Sequence, residues 1–192
     1  RLSLVGSEMC IRDSPYSDES LADLNAYNQI ILETVGDLDC KLSIEPGRYL
    51  VGEAGILITR VIYIKQGEQK KFVIVDGAMN DLIRPTLYDG FHAIVPVTEK
   101  NLSSQKSLCD VVGPVCESGD YFAKDRMLPE VSQNDLLAIT CSGAYGAVMA
   151  SNYNSRPLIP EVLVSNDVFS VIRERQAFEK IIQDEKLAAW LQ

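Results

Sequence analysis

A mainly β domain, α+β overall and closed as a sandwich or barrel-like sheet, is the fold class that this sequence predicts. Residues 55–65, 71–76 and 92–98 are dense in β-branched side chains and bounded by Gly, Pro or charge, which is the composition of strands. Shorter runs of the same kind follow at 110–115, 135–141, 161–164 and 169–173, and many short strands joined by turns fold as a sandwich or barrel. Upstream of residues 52–55 the texture is different, one helix followed by one strand, which places a domain boundary there.

Taken in order, the elements have local reasons. The chain starts at Arg1 rather than Met and is expected either to have been cut or to have been read from an incomplete frame. Residues 1–14 carry neither helical nor strand periodicity, and Ser7 to Ser14 resemble translated sequencing-adapter read-through, so they are expected to be a leader foreign to the fold. From Ser17 onward, Leu21, Leu24, Tyr27, Ile30 and Ile31 recur at helical spacing behind an early cluster of acids, which predicts a helix over 17–33. A short strand over 41–44 runs into Pro46 and Gly47, so Glu45 and Arg48 would project from a strand's carboxyl end. Barrels of alternating strands and helices build their sites on that edge. A helical turn is predicted at 81–87, and Ala177, Phe178, Ile181 and Ile182 predict a terminal helix over 175–185.

Charge and cysteine usage exclude several functions. With 27 acidic against 18 basic residues the formal charge is −9, which repels nucleic-acid phosphates and anionic lipid. No apolar run approaches the ~20 residues of a membrane span, and no basic-then-apolar export signal opens the chain, so a cytoplasmic protein is expected. Five cysteines at irregular spacing read as reduced thiols, and one histidine without CxxC or HExxH spacing argues against a metal site.

Three clusters carry candidate chemistry. In Glu45-Pro46-Gly47-Arg48, glycine lets backbone amides approach a phosphate, arginine offers a planar fork of donors to its oxygens, and the acid suits a protonated pyridine nitrogen. The same four residues also read as a turn beside a surface ion pair. Arg84 and Tyr88, four residues apart, would share one helical face and together form a carboxylate clamp. Cys116 and Glu117 stand where a strand breaks into a polar loop, which sets this thiol apart from the other cysteines. The other cysteines, Cys10, Cys40, Cys109 and Cys141, read as small apolar residues. Tyr145 reads either as a site residue or as a strand-end tyrosine that bonds a carbonyl. His92 belongs with its strand and is not expected to act as a base.

In this order, these clusters resemble the C-terminal half of the diaminopimelate decarboxylase family, pyridoxal-phosphate enzymes of the ornithine decarboxylase and alanine racemase-like group. The likeness runs from about Tyr27 to Gln192, and Ser151 to Pro157 extend it as a structural segment. It implies a C-terminal Greek-key β-domain over 54–192, preceded over 15–53 by the last helix and strand of a truncated (β/α)8 barrel. It implies pyridoxal 5'-phosphate as cofactor, with Glu45 facing the ring nitrogen, Gly47 and Arg48 facing the phosphate, and Tyr145 reaching cofactor and substrate. Arg48, Arg84 and Tyr88 then bind the substrate's distal carboxylate, Glu117 its distal ammonium, and Cys116 donates a proton to the carbon that loses carbon dioxide. The expected reaction converts meso-2,6-diaminopimelate into L-lysine and carbon dioxide, in a homodimer with shared active sites.

The family's cofactor-binding lysine, the histidine stacked on the ring and the glycine-rich phosphate loop have no counterpart here. The chain alone is therefore expected to be inactive, and sticky or partly unfolded near residues 15–50. Competing readings are a decarboxylase of ornithine, arginine or carboxynorspermidine, a non-catalytic partner like the antizyme inhibitors, and a β-domain without a site.

Overall fold

The computed structural model describes residues 24–38, 47–68 and 70–191, apart from the side chains of Lys100 and Asn101. The leader, the start of the first predicted helix, the strand over 41–44, Glu45, Cys10 and Cys40 lie outside the described residues. Helices α1 (Leu24–Val35) and α2 (Gly47–Val51) precede strands β1 (Leu57–Gln66) and β2 (Lys71–Val75). Then come α3 (Arg84–Tyr88), β3 (Ile94–Pro96), α4 (Glu99–Leu102), β4 (Lys106–Val112), β5 (Tyr121–Pro129) and β6 (Leu136–Ile139). A separate hairpin of β7 (Glu161–Ser165) and β8 (Val168–Arg173) is followed by α5 (Glu179–Ile182).

Six strands form one sheet in the order β3-β6-β1-β2-β4-β5. All neighbours are antiparallel except β2 and β4, whose parallel pairing is made possible by the long crossover through α3, β3 and α4. The sheet curls until its edges nearly meet. Arg126 on β5 donates through Nη1 to the His92 carbonyl at 3.0 Å, just ahead of β3, and its guanidinium lies 3.9 Å from the centre of the Phe91 ring. The mainly β, barrel-like fold predicted from the sequence is therefore present.

Alternation builds the core. Leu57, Thr59 and Val61 of β1 point inward while Ile58 and Arg60 face out, and Val73 and Val75 of β2 with Leu137 and Ile139 of β6 complete the packed interior with Phe122 and Leu128. Burying an aliphatic side chain of this kind is worth about 1.5–3 kcal/mol. Thr59, the polar member of the β1 row, donates its hydroxyl to Asp76 Oδ1 at 2.7 Å and accepts from Gly77 N at 2.9 Å, so its burial leaves the hydroxyl satisfied.

Several sequence expectations need correcting. The strand expected over 110–115 begins earlier, at Lys106, and ends at Val112, because Gly113 turns into a loop closed by its amide on the Asp120 carbonyl at 3.0 Å. The strand Tyr121–Pro129 was not anticipated at all. Its inward row is broken at Asp125, whose φ of 48° marks a bulge opposite a register shift in β4, so the sequence lacks a two-residue period. The bulge is held by Asp110 Oδ1, which accepts from the Asp125 amide at 2.8 Å, while Lys70 bridges Asp110 and Asp125. The helical turn expected over 81–87 falls at Arg84–Tyr88, where Pro85 suits the first turn. The terminal helix over 175–185 contracts to a single α-helical turn, Glu179–Ile182, with Phe178 and Ile182 half exposed.

Candidate functional site

The site begins with a backbone junction. Gly143 N donates to the Gly52 carbonyl at 3.0 Å and Ser142 N to the Gly55 carbonyl at 2.8 Å, which docks α2 on the turn after β6. A Cβ at Gly143 would overlap the Val51 carbonyl oxygen, so the two backbones approach this closely only with glycine there. Arg48, in α2, is 3% exposed.

Tyr145 has a left-handed backbone, φ 59°, which is costly for a bulky aromatic residue and is sustained only when its surroundings impose it. The guanidinium of Arg84 lies over two phenol rings, 5.7 Å from the Tyr88 centroid and 5.7 Å from the Tyr145 centroid. Cation–π attraction to both rings steers the Arg84 head group. The one-turn spacing of Arg84 and Tyr88 does place them together, and Tyr145 joins them from 57 residues further along the chain.

His92 is fully buried. Its Nδ1 faces the Thr140 carbonyl at 2.9 Å, an atom that only accepts, so Nδ1 carries the hydrogen in the neutral ring. Burial above all, and then the positive charges of Arg84, Arg48 and Arg126, push its pKa down to about 4. The imidazole is therefore neutral at physiological pH and adds no charge to the arginine cluster. Arg48 and Arg84 thus both lie within electrostatic reach of this one ring. The donor set of two guanidinium groups and two phenols suits an anion, a phosphate or a carboxylate, in keeping with the site of a phosphorylated cofactor and an acidic substrate. Glu45, the acid expected to face the ring nitrogen, lies outside the described residues.

Cys116 and Glu117 occupy the exposed loop over 113–120. Its base is stapled by buried Asp120, whose Oδ2 accepts from Val115 N at 2.6 Å and whose Oδ1 accepts from Met79 N at 2.7 Å. Its tip is tied to α3, where the Thr86 hydroxyl donates to the Gly119 carbonyl. Arg84 and Tyr88 of α3 thus stand with Tyr145, and Cys116 and Glu117 sit on a loop fastened to α3. Glu117 accepts from the Gly119 amide at 3.2 Å and from the Tyr153 hydroxyl at 3.3 Å.

The segment expected to be structural, residues 151–157, is anchored by Arg156. Its Nε donates to Asn80 Oδ1 at 2.9 Å, its Nη2 to the Asp76 carbonyl at 2.6 Å, and the same nitrogen lies 3.6 Å from Asp81 Oδ2. Desolvation raises the Asp81 pKa even though the Ala78 amide and Arg156 favour its charged form. A cavity of about 240 Å³ lies beside this junction, lined by Met79, Asn80, Ile83, Ser151 and Tyr153. Thr86, Asp120 and Tyr153 escape sequence reasoning because nothing in their local pattern distinguishes them from ordinary turn residues. Only the single histidine, His92, offered a signal, through its position within four residues of Tyr88.

Residues 12–143 match the profile of the family described as "Pyridoxal-dependent decarboxylase, C-terminal sheet domain", and the chain belongs to that family. Similar curated proteins bear the name diaminopimelate decarboxylase. The one from Zymomonas mobilis is 49% identical over 168 residues, covering 88% of this chain and 39% of the relative. Among solved structures, the Helicobacter pylori diaminopimelate decarboxylase complexed with L-lysine superposes with a TM-score of 0.79 at 48% identity, covering 88% of this chain and 41% of that one. The diaminopimelate decarboxylase from m. jannaschi superposes with a TM-score of 0.83 at 35% identity, covering 93% of this chain and 42% of that one. The chain spans about two fifths of the length of the relatives it matches.

Proposed function

We propose that this chain is the C-terminal part of a diaminopimelate decarboxylase, which converts meso-2,6-diaminopimelate to L-lysine and carbon dioxide with pyridoxal 5'-phosphate. The observation that carries the reading is Arg84 lying over both Tyr88 and Tyr145, with Arg48 buried, in a chain 49% identical to a protein of that name. A second carboxylate on the substrate gives this donor cluster a purpose that a simple diamine-type amino acid lacks.

When bound, the pyridoxal ring withdraws electrons from the bond to the departing carboxylate. The roles of this chain's own residues follow from their donors and acceptors. Gly47 and Arg48 serve the cofactor phosphate, and Glu45 its ring nitrogen. Arg48, Arg84 and Tyr88 bind the distal carboxylate, Tyr145 reaches cofactor and substrate, Glu117 receives the distal ammonium, and the Cys116 thiol supplies a proton to the substrate α-carbon. The exposure of Cys116 and Glu117 fits a loop that serves a second subunit's site, so we assign the working unit to a homodimer. We assign residues 54–192 to the β-domain and residues 15–53 to the barrel portion. The cofactor-binding lysine is assigned to the part of the relatives that this chain does not span, and the enzyme to the cytoplasm. Among the described residues no helix is long and apolar enough to cross a membrane.

Carbon dioxide release tests the reading. The complete polypeptide, supplied with pyridoxal phosphate, is expected to decarboxylate meso-diaminopimelate, whereas this chain alone releases none. Preference for ornithine or arginine by the complete polypeptide would refute the substrate assignment, and turnover by the chain alone would refute the division of labour.

A further inference from the structure

The segment over 151–157 is left without a chemical part by the reading above, yet its tyrosine touches a proposed substrate residue. Tyr153 Oη donates to Glu117 Oε2 at 3.3 Å while Gly119 N donates to Glu117 Oε1 at 3.2 Å, so each carboxylate oxygen has its own donor. Both donors stand on built supports. A Cβ at Gly119 would come within 2.6 Å of Thr86 Cγ2, and the Thr86 hydroxyl grips the Gly119 carbonyl, so the amide that holds Oε1 is fixed to the Arg84–Tyr88 turn. Tyr153 opens a tight turn in which Asn154 and Ser155 both have left-handed backbones, φ 57° and 55°. Such a turn persists only where its flanks are held, and here Arg156 clamps one flank to Asn80 and Asp76 while Ser151 N donates to the Asn80 carbonyl at 3.0 Å on the other.

We propose that Tyr153 is a positioning residue that aims the Glu117 carboxylate at the substrate's distal ammonium and so sharpens specificity. This rests on the reading that Glu117 receives that ammonium. A glutamate on an exposed loop samples many rotamers, and ordering it before the substrate arrives removes that entropy from the binding step. The partner's chemistry also matters. A phenol donates one hydrogen bond without adding positive charge, so the carboxylate keeps its full attraction for a cation, which a lysine or arginine in place of Tyr153 would cancel.

The test is steady-state kinetics of the complete homodimeric enzyme on meso-diaminopimelate. Tyr153→Phe is expected to raise KM about five- to ten-fold at nearly unchanged kcat, the size of one modest hydrogen bond. Glu117→Gln raises KM further, and the double variant is no worse than Glu117→Gln alone, since Tyr153 acts through that carboxylate. Calorimetric affinity for L-lysine, which carries an equivalent ammonium, falls by the same factor in Tyr153→Phe. If Glu117→Gln raises KM while Tyr153→Phe leaves KM and lysine affinity unchanged, or if the two effects multiply in the double variant, the positioning role is overturned and the function stands. If Glu117→Gln itself leaves KM unchanged, the ammonium assignment fails and this inference falls with it.

Discussion

The six-stranded sheet and the β7–β8 hairpin are written in the same residues and end in opposite environments. Val61, Val73, Val75, Leu137 and Ile139 are completely buried in the sheet, whereas Leu163, Val164, Val168, Phe169 and Ile172 in the hairpin are more than half exposed. Branched side chains specify an extended backbone in both regions, but burial is a property of what lies across from them. The sheet supplies its own opposite wall by curling. The hairpin is joined to the rest by polar contacts at its base, where Gln176 Oε1 accepts from Leu158 N at 2.9 Å and from Asn152 Nδ2.

The largest expected difference is a pair of truncations. Leu137→Ala is expected to cost about 2–5 kcal/mol of stability in urea unfolding, and Val164→Ala no more than about 0.5 kcal/mol. Equal losses would show that the hairpin is buried in the working protein, and the contrast would be broken.

A pH series sharpens the same contrast from inside the sheet's closure. The His92 imidazole is neutral when folded, with its pKa pushed down to about 4, and titrates near 6.5 when unfolded. The unfolded chain therefore takes up the proton first, so stability present above pH 6.5 is lost as pH falls toward 4, by up to about 3 kcal/mol. In His92→Asn that slope should flatten between pH 6.5 and 4. A slope unchanged by the substitution would place its cause elsewhere.

Arg156 joins the two regions, and Arg156→Ala is expected to cost about 1–3 kcal/mol, because it strips the buried Asp81 and Asn80 of a partner. Asp81→Asn should cost less. Burial already raises the Asp81 pKa, which means that the fold disfavours its charged form. The reverse order of these two losses, read by thermal unfolding, would show that the ion pair and not the hydrogen-bond frame holds the segment. The smallest effect concerns dynamics: amides of β7 and β8 should exchange through openings of low free energy, far below that of the sheet, since two strands alone are marginal. Uniform protection would contradict that.

Much of the site was legible one cluster at a time. Arg84 and Tyr88 are one helical turn apart, so their shared face follows from the pitch alone, and Pro85 in the first turn agrees with a helix there. Cys116 and Glu117 were legible as loop residues because Gly113, Pro114 and Gly119 surround them. The strand Tyr121–Pro129 was not legible. Its bulge at Asp125 cancels the alternation that marks a strand, and the bulge is explained by Asp110 and Lys70, which are remote in the chain.

By itself, the order of residues determined where the backbone is extended or helical, which short runs hold chemistry, and that the chain is a β-rich relative of pyridoxal-dependent decarboxylases. Tertiary structure alone decided that Tyr145 completes the Arg84 and Tyr88 pair, that Arg48 is buried, that Thr86 ties the Cys116 loop to their helix, and that Tyr153 meets Glu117. The reason is one of range: dihedral preference and periodicity act over a few residues, whereas each of these contacts closes a loop of about thirty residues or more, and only packing of the whole sheet compensates for the entropy of closing it.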